Sequence, residues 1–142
     1  MGQHTDHAAL GEAGDISAFL AAALLLPLLF LLVWGGIGVI TLMHAKDSLL
    51  EATQQGLLAT ELSGGVTPAV RSLVSQDTST DPLLALAAPT ISGSMGPVPW
   101  GGPVQLTVAI NLPLAGPPWA WLGVPDPLDM SLTLYGLSNA PP

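Results

Sequence analysis

The chain has 142 residues, of which 49% are hydrophobic and only 8% are charged. Ten acidic residues against two basic ones give a formal net charge of −8, which argues against binding to nucleic acid or to anionic lipid headgroups. The chain contains no cysteine, so disulfides, thiolate catalysis and Cys-ligated zinc are excluded.

Residues 1–14 are predicted to form a polar leader. His4, Asp6 and His7 are residue types that bind metals, but no fourth ligand is spaced to complete a site. The leader lacks the Lys and Arg residues that begin a cleaved secretory signal.

Residues 16–43 carry no charge and are mostly Leu, Ala, Val, Ile and Gly. This run of about 28 residues exceeds the roughly 20 that cross a bilayer and is too long for a signal-peptide core. We therefore expect a retained helix that crosses a membrane or forms a filament core. Lys46, the one nearby cation, points by the positive-inside rule to a cytoplasmic C-terminus, but the rest of the chain has the character of an exported domain. We expect the N-terminus inside.

Small residues recur along this run at helical spacing. Such faces let helices approach closely and associate in lipid, although small residues are also common in membrane helices that do not associate. Proline inside the run predicts a kink that membrane helices tolerate. The predicted helix-packing residues are Ser17, Ala18, Ala21, Ala22, Pro27, Gly35, Gly36 and Gly38.

The helix is predicted to continue as an amphipathic segment over residues 44–63, giving one helix over 15–63 that ends before Gly64 and Gly65. Residues 64–82 are predicted to hold a short helix, about 67–76, with Pro68 in its first turn, and a polar linker over 77–82. The predicted apolar face of the amphipathic segment consists of Ala45, Leu49, Leu50, Ala52, Leu57, Leu58 and Leu62.

Residues 83–142 are predicted to form a small β-rich head. Val104–Leu112 alternates apolar and polar residues, and Met130–Gly136 repeats the pattern, so both are expected to be strands with one buried face. A shorter strand is expected near 88–92. The two long strands are expected to pair antiparallel. Because a lone hairpin is marginally stable, its apolar face should pack on helix 45–62 or on another subunit. The fold class is therefore α+β: a long N-terminal hydrophobic helix followed by a small head that contains a β-hairpin.

The stretch from Gly14 to Leu57 resembles the N-terminal region of TadE-like proteins, pilin-like components of tight-adherence pilus systems. The resemblance rests on Gly14, on the Leu-Pro-Leu-Leu core around Pro27, on glycines at the far end of the apolar run, and on the Ala-Lys continuation at Ala45 and Lys46. It implies a pilus association and this architecture. The chain lacks the Glu that the family carries before the Leu-Pro, so the resemblance does not extend to leader cleavage.

No residue pattern predicts catalysis or a cofactor. Ser48 and Glu51 lack a third group and an oxyanion signature, and His44 is expected to anchor the helix at the membrane interface. Asp77 to Asp81 resembles a loose calcium loop without the Gly and terminal Glu of an EF-hand. The loop tryptophans are possible surface-contact residues or a cap folded back on the hairpin; they are Trp100, Trp119 and Trp121.

These observations predict a non-enzymatic structural subunit of a pilus-like surface filament. The expected partners are further copies of the chain in a helical homo-oligomer, other pilus subunits and a membrane, but not nucleic acid. The expected location is a bacterial or archaeal cell membrane and the cell surface. Two alternatives stay open: a minor, membrane-anchored TadE-like assembly component, and a membrane-anchored surface-binding module.

Overall fold

The computed structural model describes the backbone of residues 6–141 and the side chains of residues 14–141. Its layout is α+β, as the sequence predicts. Two compact units make up the chain: the N-terminal unit, Met1–Ile37, and the C-terminal unit, Gly38–Pro142. The elements are helices α1 (Asp6–Ser63) and α2 (Pro68–Thr80), a 3-10 turn (Leu84–Leu86), and strands β1 (Thr90–Gly93), β2 (Pro103–Leu112) and β3 (Leu128–Leu137).

Helix α1 begins at Asp6, inside the segment predicted to be a polar leader. Ala8, Ala9 and Leu10 are strong helix formers, which explains the earlier start. Pro27 lies inside the helix, which continues on both sides of it. The predicted end is confirmed at Ser63, and Gly64 follows with a φ of 72°, a backbone conformation that glycine adopts without strain.

Helix α2 starts as the sequence predicts but ends later. The Thr67 side chain accepts a hydrogen bond from the Val70 N–H, and proline occupies the first turn. The residues assigned to a linker instead complete the last turn. Thr78 and Thr80 donate their hydroxyls to carbonyl oxygens of the same helix, at 2.9 Å and 2.7 Å. The Thr80 hydroxyl thereby satisfies one of the last four carbonyls of the helix, that of Asp77, which water would otherwise bind. The bond of Thr78 satisfies its own buried hydroxyl.

The three strands form one antiparallel sheet in the order β1-β2-β3. The predicted pairing of the two long strands is confirmed, with Val108 opposite Leu132 and Thr107 opposite Thr133. The inward residues of β2 are all buried, whereas those of β3, at the sheet edge, are only half-buried. The buried residues of β2 are Val104, Leu106, Val108, Ile110 and Leu112.

The core of the C-terminal unit joins α1, α2 and β2, so the sheet packs on the helix as predicted. Ala45 and Leu49 of α1, Val74 of α2 and Val108 of β2 belong to one buried cluster. The predicted helix face is only partly right, however. Leu50, Leu58 and Leu62 are exposed, and the buried stripe of α1 consists of Ala45, Leu49, Ala52, Thr53, Gly56 and Thr60.

Close approach of the sheet explains this small-residue stripe. A β-carbon at Gly56 would overlap Val74 and would lie 2.8 Å from Leu106 Cδ2, so no larger residue fits between the three elements. Thr53 and Thr60 donate their hydroxyls to carbonyl oxygens one turn earlier, at 2.6 Å and 2.7 Å. Their polar atoms are thereby satisfied, and both residues can be buried.

We expect Val108→Asp to unfold the C-terminal unit, because Val108 is fully buried. An uncompensated buried charge costs about 3–5 kcal/mol, a large part of the roughly 5–15 kcal/mol that stabilises a small domain. Limited proteolysis of the full chain should show rapid cleavage within residues 83–142. Gln105→Asp is the control, since Gln105 is exposed on the same strand. Equal protease resistance of the two variants would contradict this account of the core.

Candidate functional site

The large apolar side chains of the N-terminal unit are exposed throughout the part whose side chains the structure describes. Every large apolar side chain from Ile16 to Ile37 is between 44% and 75% exposed. Helix α1 is long and apolar enough to cross a membrane: its best 18-residue window has a mean hydropathy of 2.8, and none of that window is buried. A helix that is apolar on all sides requires lipid or other protein around it.

The small residues of the N-terminal unit lie on this exposed surface. Ser17, Ala18, Ala21, Ala22 and Pro27 are all exposed. The Ser17 hydroxyl donates to the Gly14 carbonyl oxygen at 2.9 Å, so its polar atom is satisfied within the helix. A helix that packed here would meet no unpaired serine hydroxyl.

Ala22 lies in a shallow apolar groove of about 380 Å³ on the helix surface. The groove exists because an alanine stands among long leucine side chains, which rise around it. Such a depression is the kind of hole into which a side chain of a neighbouring helix packs. The other residues that line it are Leu25, Leu26, Leu28, Leu29 and Leu32.

The three predicted packing glycines differ in their surroundings. Gly36 is exposed, with no atom within 4 Å of the position of a β-carbon, and Gly35 is half-buried. Gly38, in the C-terminal unit, is buried: a β-carbon there would lie 3.2 Å from Leu122 Cδ1 and 3.4 Å from Trp119 Cζ3. The surface of Gly38 is therefore covered by the chain itself, which leaves Gly36 open to a partner.

The predicted surface-contact tryptophans also differ in their exposure. Trp119 is partly buried and packs against the core, as a loop folded back on the hairpin would place it. Trp100 and Trp121 are 72% and 60% exposed and are free to contact a partner. Sequence reasoning could not separate the three, because all of them stand among Pro and Gly.

Asp81 is a structural residue that sequence reasoning missed. Its Oδ1 accepts the N–H groups of Leu83 and Leu84 at 2.8 Å and 3.1 Å, and its Oδ2 accepts the Ser48 hydroxyl at 3.2 Å. The side chain thus caps the 3-10 turn and ties it to α1. The Asp-Pro pair at 81–82 is a turn signal that could have revealed this role.

Little in the described part of the chain suggests metal or catalytic chemistry. No group of three or more His, Cys, Asp or Glu side chains within residues 14–141 could hold a metal ion. Ser48 is engaged with Asp81. His4, Asp6 and His7 precede residues 14–141, the part of the chain whose side chains the structure describes.

Comparison with known proteins adds no assignment. No family model, curated protein or solved structure matches this chain. A functional proposal therefore depends on the exposed apolar helix and on the contacts within the C-terminal unit.

We expect Gly38→Leu to displace the loop that covers Gly38, because no space remains there for a larger side chain. Hydrogen exchange of the full chain in detergent should then be faster at the amides of 120–124, which are hydrogen-bonded within that loop. Gly36→Leu should leave their exchange unchanged, since Gly36 is open. Equal exchange in both variants would show that Gly38 does not hold the loop.

Proposed function

We propose that this chain is a non-catalytic structural subunit of a pilus-like surface filament. Its apolar helix anchors it in the membrane of a bacterial or archaeal cell before assembly, with the N-terminus inside. In the filament the same helix packs against the helices of other copies or of other pilus subunits.

The observation that carries the proposal is the exposed apolar surface of the N-terminal unit. Burial of one large apolar side chain is worth about 1.5–3 kcal/mol, and the unit exposes all of those from Ile16 to Ile37. Lipid covers this surface in the anchored state. In a filament, neighbouring helices must replace the lipid.

The small-residue positions support helix packing as that replacement. At about 3.6 residues per turn, Ala18 and Gly36 are five full turns apart and lie on one face, with Ala22 close to it. The groove at Ala22 lies on this surface. Contacts between different faces of successive copies generate open helical polymers.

The C-terminal unit also has apolar surface available to neighbours. Leu58 and Leu62 are 61% and 67% exposed, and their spacing of four places them on one face of α1. Only 8% of all residues are charged, so neighbouring units could pack with few charges to desolvate.

The experiment that tests the proposal is electron microscopy of material sheared from cells that express the chain, with mass spectrometry of the protein in it. Filaments that contain this chain as the dominant species support the proposal. Retention of the chain in the membrane fraction beside filaments of another protein would replace the proposal with the minor, TadE-like component. An absence of filaments would overturn both and leave an anchored surface-binding module.

We expect Ala22→Leu to reduce the yield of sheared filaments strongly, because the larger side chain fills the groove and holds helices apart. Ala23→Leu is the matched control: it makes the same change one residue later, on a different face of the exposed helix. Both variants should remain in the membrane fraction before assembly. Equal filament yields would count against helix packing at the Ala22 face.

A further inference from the structure

The loop between β2 and β3 packs on the last turns of the apolar run. We call residues 113–125 the tryptophan loop. Its Trp119 and Leu122 contact Gly38, and Trp119 is partly buried against the core. Gly38 lies six residues before His44, the first ionisable residue after the run. The loop is therefore held beside a part of α1 that still belongs to the apolar run.

This part of the helix corresponds to the membrane interface if α1 spans a bilayer. A span of about 20 residues counted from Ile16, the first residue of the uncharged run, ends near Gly35, so the turns that contain Gly38 lie at the level of the headgroups. Val39, Ile40 and Met43 are 42%, 68% and 63% exposed, which shows that the helix stays apolar around the level of Gly38. A loop that contacts Gly38 reaches the same level.

The backbone of the tryptophan loop suits a poorly hydrated environment. Five consecutive N–H groups, those of residues 120–124, donate to carbonyl oxygens within the loop at 3.1–3.3 Å. Pro117 and Pro118 carry no N–H. Because these N–H groups are already hydrogen-bonded within the loop, they lose little when the loop moves to a less hydrated layer.

The side chains of the loop are apolar where they are exposed. No charged residue occurs from Pro113 to Pro125. Trp121 and Leu122 are 60% and 39% exposed. Asp126, the first acid after the loop, accepts a hydrogen bond from the Leu114 N–H at 3.1 Å. This bond joins the two ends of the loop. Tryptophan is enriched at membrane interfaces because its ring is amphipathic.

Trp100 provides a contrast within the same unit. The neighbouring Gly101 N–H donates to Ser138 at 2.8 Å, and the Val98 N–H donates to Gly64 at 2.8 Å. Gly64 follows the end of α1, 26 residues after Gly38, which is about 39 Å along a helix. Trp100 is therefore at the end of the unit opposite to the tryptophan loop.

We propose that the tryptophan loop is a second membrane contact, which places Trp121 and Leu122 in the interfacial layer of the bilayer beside α1. This inference rests on the membrane anchoring in the proposed function. The partner is the apolar–polar boundary of the lipid and not an anionic headgroup, because the chain has a net charge of −8. The contact fixes which end of the C-terminal unit faces the membrane.

Tryptophan fluorescence tests the proposal with the full chain in phosphatidylcholine vesicles. Three variants each keep one tryptophan, at position 34, 100 or 121, and carry Phe at the other three positions. Bromine atoms on the upper part of the lipid acyl chains should quench Trp34 and Trp121 several-fold more than Trp100. Trp34 lies in the apolar run and reports the anchoring separately.

The outcomes distinguish the two proposals. Quenching of Trp34 without quenching of Trp121 overturns the loop contact and leaves the anchor intact. Equal quenching of Trp100 and Trp121 also overturns it, because the loop would then have no special position. Lack of quenching of Trp34 overturns the anchoring itself.

A second measurement keeps all tryptophans. Because the chain has no cysteine, single-cysteine variants can carry a spin label at one chosen site. Ala120→Cys, at an exposed loop position, should be more accessible to oxygen than to a water-soluble nickel reagent. Asn139→Cys, exposed near the end of α1, should show the opposite order. The water-soluble pattern at both sites would overturn the proposal.

Discussion

The close approach of β2 to α1 is the contact on which the C-terminal unit depends. Gly56 lies where Val74 and Leu106 leave no room for a β-carbon, and the rest of the buried stripe is mostly Ala and Thr. The helix therefore presents a shallow surface onto which the sheet packs, and the large side chains of the core come mainly from β2. A core so thin depends on complementary shape, since small domains bury little apolar area.

The two parts of α1 use small residues for different purposes. In the C-terminal unit they are buried, and the contact they make is already filled by the sheet and α2. In the N-terminal unit they are exposed among leucines. The small residues of the C-terminal unit are thus already covered by packed elements, whereas those of the N-terminal unit have no packing partner within the described chain. Other copies are therefore expected to pack on the N-terminal unit.

The sequence predicted the elements better than it predicted their faces. Alternation in Val104–Leu112 fixed the buried face of β2, because a period of two leaves no ambiguity. The buried face of α1 is harder to predict. The leucine spacing predicts that Leu58 and Leu62 are buried, but the structure buries Gly56, Thr53 and Thr60 instead. The two threonines tolerate burial because their hydroxyls bond to carbonyl oxygens of their own helix. Gly38 is predicted to pack against another helix, whereas in the structure a loop some 80 residues later in the chain covers it. No local sequence pattern specifies such a contact.

The contact at Gly38 also bears on the surplus length of the apolar run. Residues 16–43 are longer than the roughly 20 residues that a bilayer requires, and the surplus needs cover outside the hydrocarbon. On one side of the helix the tryptophan loop supplies it, from within the same chain. Such cover does not depend on lipid. In the proposed filament the loop would therefore keep its place at Gly38 when the helix leaves the membrane. Neighbouring subunits would have to replace the lipid around the N-terminal unit and around the exposed apolar side chains near Gly38, including Ile40, Met43 and Trp121.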